Sequence, residues 1–195
     1  MDEYLDLATE SARRAFDACR ASTDQPIVGY AICSDDTAVT FSPVAASAAA
    51  ADAFSHGAKE DFLFVPENWD IYSEPEHVQE VASLIYARYE ADEDYENNPD
   101  WHEQHRQRVF ELMTAALERL NDEGYFGQGA DRDAVVVLPW VVDSEVPRTH
   151  GATWSKRTNP AAVHKSFQQW LAETNYWGPV VKRPKKKKKK STKKY

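Results

Sequence analysis

The residues of this chain that could carry chemistry are few, and His102-Glu103-Gln104-His105 comes first among them. Two histidines on one helix, with a glutamate beside the first, make a zinc site and its general base when they stand at i and i+4 and both rings converge on the ion. Here they stand at i and i+3 with no third ligand, so the segment reads as a solvated helix start. Glu90-Ala91-Asp92-Glu93-Asp94-Tyr95-Glu96-Asn97-Asn98-Pro99-Asp100 gathers six carboxylates and no base. A calcium loop of the EF-hand type needs a glycine at its sixth position and a bidentate acid at its twelfth, and neither falls in register. The block reads as a solvated helix end and loop, or as a docking surface for a basic partner. Gly127-Gln128-Gly129 is too short to cradle a dinucleotide, and Cys19 falls on a helix's apolar face as a small hydrophobe. No nucleophile elbow, P-loop or paired Cys and His is found. The expectation is a protein with no catalytic residues, no metal and no cofactor.

A second group, Glu67, Trp69, Asp70 and Tyr72, sets aromatics beside carboxylates, the mixture that favours protein interfaces. Core packing of the aromatics is the competing reading. With Glu90, Asp92, Glu93, Asp94 and Glu96 these four form the expected partner-binding set. The alternative is a small enzyme or ligand-binding domain whose site combines Glu67, Asp70, Tyr72 and His102, which requires a concave pocket where polar groups converge.

Charge divides the chain in two. The last fourteen residues hold ten of the 23 basic residues and no acid, so residues 1–181 set 13 basic against 32 acidic residues, a net of −19. Such a body repels nucleic acid and attracts cationic partners. Residues 182–195, with Lys185 to Lys190 in one run, are a block of like charge expected to be disordered. That tail could bind polyanions non-specifically and with strong salt dependence, making the chain an adaptor in a third reading. Two cysteines without paired spacing fit a reducing compartment. Met1-Asp2-Glu3 opens no signal peptide, and no run nears the roughly 18 apolar residues that span a bilayer. The expected location is the cytoplasm.

The elements that must position these residues follow from periodicity. Tyr4, Leu5, Ala8, Ala12, Ala15, Phe16 and Cys19 mark an amphipathic helix over about 3–20. Ile27 to Cys33 and Thr37 to Ser42 predict a hairpin, Ala45 to Phe54 an alanine-rich helix, and Phe62 to Val65 a strand entering an aromatic loop. A helix carrying Val78, Val81, Ala82, Ile85 and Tyr89 starts at Pro75. A longer one carries Val109, Phe110, Met113, Ala116, Leu117 and Leu120 and ends at Gly124. Ala134 to Val142 predicts a strand, at an edge or bulged because of Pro139, and a last helix spans about 160–173. The sum is an α+β fold, a mostly antiparallel sheet with flanking amphipathic helices in a single domain, 1–181, followed by the tail, 182–195.

The order of these segments resembles a bacterial family known as domain of unknown function 4303. The resemblance covers roughly 3–145 and rests on four segments: the strand Val28 to Cys33, Val65-Pro66-Glu67-Asn68-Trp69-Asp70-Ile71-Tyr72, the helix end Leu117-Glu118-Arg119-Leu120-Asn121-Asp122-Glu123-Gly124-Tyr125-Phe126-Gly127, and the strand Val135 to Asp143. Several members of that family are regarded as immunity proteins of polymorphic toxin systems. The resemblance therefore implies a binding protein that neutralises a cognate toxin, with no catalytic residues to carry over. The acidic body suits a basic partner such as a nuclease-like toxin.

Overall fold

A computed structural model describes residues 2–55, 58–91 and 99–177. Four strands form one sheet in the order β3-β2-β1-β4: β1 is Ile27–Ser34, β2 Ser42–Ser47, β3 Ile71–Tyr72 and β4 Val136–Val141. β1 runs antiparallel to β2, with Tyr30 opposite Ala45, and parallel to β4, with Ile32 opposite Pro139. β2 and β3 are antiparallel. The fold is α+β as expected, with a mixed sheet.

Alternation along β1 explains its unbroken apolar run, because both of its faces are covered. Tyr30 and Ile32 face one helical layer, and Ala31 and Cys33 the other. The first layer holds α1 (Asp2–Ala21), α4 (Gln79–Glu90) and α5 (Pro99–Asp122), joined by Trp154 of α7 (Val146–Thr158). The small side chains Ala8, Ala12 and Ala15 let α1 lie close to the sheet, where the Tyr30 hydroxyl donates to the Ala12 carbonyl at 2.7 Å. The second layer is built from α2 (Ala48–Ala53), α3 (Lys59–Phe64) and α8 (Ala161–Glu173), which bring Ala51, Phe62, Phe64, Val163, Phe167 and Trp170 onto the sheet. Short α6 (Ala130–Asp133) leads into β4.

Pro139 sits in an edge strand at no cost in hydrogen bonds. The N–H of Val137 points off the sheet to Asn159 Oδ1 at 2.8 Å, and its carbonyl accepts from Asn159 Nδ2 at 2.6 Å and Thr158 Oγ1 at 2.7 Å. Pro139, two residues on, presents the same side, where its missing N–H breaks no rung. Asn159 thus closes the edge that β4 would otherwise leave open. The end of α5 is as the sequence predicts: Gly124 has φ 74°, Tyr125 N–H reaches the Leu120 carbonyl and Gly124 N–H that of Asn121. Those two bonds make a Schellman cap.

Three expectations are corrected. The second hairpin strand is 42–47, not 37–42, because Asp35 folds 35–39 into a turn by accepting from the Thr37 N–H. Ala45 and Ala46 lie in that strand and not in a helix, so pairing with β1 outweighs alanine's helix propensity, and α2 begins only at Ala48. Phe62 to Phe64 is helical, not a strand. Both phenylalanines pack into the second layer, Phe64 against Phe167 with ring centroids 5.3 Å apart. A short apolar run has no period that separates the two states.

Candidate functional site

Trp69 is 2% exposed and belongs to the core. Its Nε1–H donates to the Phe62 carbonyl at 2.8 Å, and its ring covers Gly29, where a Cβ would stand 2.7 Å from Cζ2. The competing packing reading of this aromatic is therefore the one realised. Glu67 is tied to the end of β4 and Asp70 to the end of β2. Glu67 Oε1 accepts from Trp140 Nε1–H and the Asp143 N–H, both at 3.1 Å, and its Oε2 accepts from the Tyr176 hydroxyl. Burial, and then the Glu67 carboxylate, push the Tyr176 phenol up. Asp70 Oδ1 and Oδ2 accept from the Ser47 N–H and hydroxyl at 2.9 and 2.7 Å, while Ser47 Oγ caps α2 by accepting from the Ala50 N–H. Both carboxylates therefore act as internal fasteners.

His102 stands on the opposite side of the sheet from Glu67, in α5, with its ring 6.0 Å from that of Tyr89. The site combining Glu67, Asp70, Tyr72 and His102 is not assembled as one cleft. His105 corrects the solvated-start reading of its segment. It is 2% exposed, its Nε2–H donates to the Ala38 carbonyl at 2.9 Å, and Trp101 stacks on its ring at 5.1 Å. Burial holds its pKa below the ordinary histidine value. Among the described residues no three His, Cys, Asp or Glu side chains converge to hold a metal. Burial also raises both thiols, Cys19 to about 11 and Cys33 further, which leaves them poor nucleophiles.

The exposed large apolar side chains are spread over several elements, among them Tyr4 on α1 and Tyr176, whose hydroxyl meets Glu67. Tyr72 is 66% exposed on β3, and on α4 Leu84 is 38% and Tyr86 49% exposed. Exposed Glu76 and Glu80 line one hollow with Leu84, and Glu74, Arg88 and Glu90 are also exposed along this stretch. The Tyr86 hydroxyl is bonded to Glu90, which raises its pKa. Of the expected partner-binding residues, Tyr72 and Glu90 are exposed, while Glu67, Trp69 and Asp70 serve the fold. Asp92, Glu93, Asp94 and Glu96, like the tail 182–195, lie outside the described residues. Leu84, Tyr86, Glu74, Glu76 and Glu80 were missed by motif reasoning. Their signal was there: they are the residues of this stretch that fall off the buried stripe Val78, Val81, Ile85.

A family profile described as domain of unknown function DUF4303 matches residues 9–160, most of the chain. The chain belongs to the DUF4303 family. No curated protein and no solved structure matches it. The matched region of this DUF4303 domain takes in every strand of the sheet and all of α4 and α5, and stops one residue before α8. Among the described residues no helix is long and apolar enough to cross a membrane.

Proposed function

We propose that this DUF4303 protein is a non-enzymatic immunity protein that binds a cognate toxin with a basic, nuclease-like surface in the cytoplasm. The observation that carries the reading is the stretch 72–90, along which exposed Tyr72, Leu84 and Tyr86 are interspersed with exposed Glu74, Glu76, Glu80 and Glu90. Exposed rings that fill pockets on a partner slow dissociation. Carboxylates around them, on a body of net −19, speed encounter with a cationic partner and disfavour anionic ones. Family members regarded as immunity proteins supply the context.

The test is co-expression with the toxic protein encoded beside this chain. The expected result is survival and a complex on a sizing column. Glu74→Gln/Glu76→Gln/Glu80→Gln should slow association and flatten its salt dependence, and Tyr72→Ala/Tyr86→Ala should speed dissociation. Killing that the wild-type chain does not relieve would overturn the reading, as would protection that survives both variants unchanged.

A further inference from the structure

Beside the exposed side of α4, with Leu84 at the border, α1, α4 and α5 line a half-open cavity of about 560 Å³. This lies within the roughly 300–1,000 Å³ typical of small-molecule sites. Leu5 of α1, Leu84 and Ile85 of α4 and Val109 and Leu112 of α5 make its lining mainly apolar. Arg88 and Arg108 reach it from the two facing helices. Elsewhere in this acidic body Arg13 and Arg119 reach Glu123 and Arg157 reaches Glu111 and Glu118, while exposed Arg14 and Arg20 form no ion pair among the described residues. Arg88 and Arg108 pair with no carboxylate among the described residues. The one acid in the cavity wall, Glu111, is already held by two bonds from Arg157, at 2.7 and 2.9 Å.

A buried polar group in the same wall lacks a partner. His105 gives its Nε2–H to the Ala38 carbonyl, so Nδ1 presents a lone pair, and that atom is buried without a hydrogen bond. An unsatisfied buried acceptor in the wall of a roomy cavity calls for a donor. We infer that the cavity binds a small amphipathic carboxylate. Its apolar body fills the space between Leu5, Leu84, Ile85 and Leu112, its carboxylate lies between Arg88 and Arg108, and an N–H or O–H near that carboxylate meets His105 Nδ1. Charge complementarity selects the anion, since two unpaired guanidiniums would repel a cationic amphiphile and leave a neutral one without a head-group partner.

The probe is N-octanoylglycine, which carries all three features, titrated into the full-length chain while tryptophan fluorescence is read, with Trp101 stacked on His105 as reporter. Saturable binding of one molecule per chain is expected, with N-acetylglycine and decyltrimethylammonium failing to compete. Arg88→Gln/Arg108→Gln should weaken binding at least about tenfold. Leu84→Trp, at a position exposed enough to accept the larger ring, should abolish it while leaving the lysine tail intact. No saturable binding, equal binding of the cationic probe, or binding retained in both variants would overturn the assignment, the last placing the anion on the tail. Toxin binding is read without the probe, so either inference can fail alone.

Discussion

Asn159→Ala tests whether the open edge of the sheet is held by a single side chain. Val137 is fully buried, and the amide of Asn159 satisfies both of its outward groups, the N–H at 2.8 Å and the carbonyl at 2.6 Å. Truncation leaves the N–H with no acceptor in a place water does not reach, a loss of about 1–3 kcal/mol. The carbonyl keeps its bond from Thr158 Oγ1, so losing the second donor adds at most about 1 kcal/mol. The expected cost is therefore about 1–4 kcal/mol. Thr158→Val is the internal control, because it removes one of two bonds to one carbonyl and strands no donor, for about 1 kcal/mol. Urea unfolding monitored by circular dichroism gives both numbers from midpoints at an unchanged slope. The reasoning fails if Asn159→Ala lies within about 0.5 kcal/mol of wild type, the scatter expected of an inert surface change, or if Thr158→Val costs more.

Gly29→Ala should destabilise by about 1–3 kcal/mol, because its Cβ would press on a Trp69 ring fixed at Nε1, outweighing the smaller gain from a stiffer unfolded chain; a raised urea midpoint would refute this. His105 and His164 both titrate below the ordinary 6.5 in the folded chain, chiefly through burial, so below that pH the unfolded chain takes up protons the folded one does not. Their contribution should be complete above pH 6.5 and decline as the pH falls towards the folded values, and His105→Gln should flatten the urea midpoint against pH in that window. Ending the chain at residue 160, where the family match stops, removes Val163, Phe167 and Trp170, worth about 1.5–3 kcal/mol each. That sum rivals the whole stability of a domain, so no cooperative unfolding transition should remain, and a sharp one would show that α8 is dispensable.

Long periodic elements were legible because burial on one side writes itself into spacing. α1, α4, α5 and α8 follow from Ala8 to Cys19, Val78 to Ile85, Val109 to Leu120 and Val163 to Trp170. The elements misread were those decided by neighbours. Ala45 and Ala46 carry helix propensity but sit opposite Tyr30 and Gly29, and Phe62 to Phe64 is too short for its period to speak. α7 was not anticipated, since beside Pro147 and Trp154 its buried residues Gly151, Ser155 and Thr158 are small or polar and leave no apolar stripe. At the surface, carboxylates look alike in sequence whether they fasten the fold, as Glu67 and Asp70 do, or face solvent as Glu76 and Glu80 do. Only their partners distinguish them.

The parallel pairing of β1 with β4 has a kinetic consequence. Gly29 finds Val136 about a hundred residues further on, after α1 to α6 have all been made. A chain emerging from the ribosome can form the β1–β2 hairpin and lay α1 on it early, yet one flank of β1 keeps its hydrogen-bonding groups open until the last third is synthesised. During that interval the apolar strand is a template for pairing with another copy. Expression yield should therefore respond to substitutions that slow the arrival of β4 more than to changes of equal stability elsewhere.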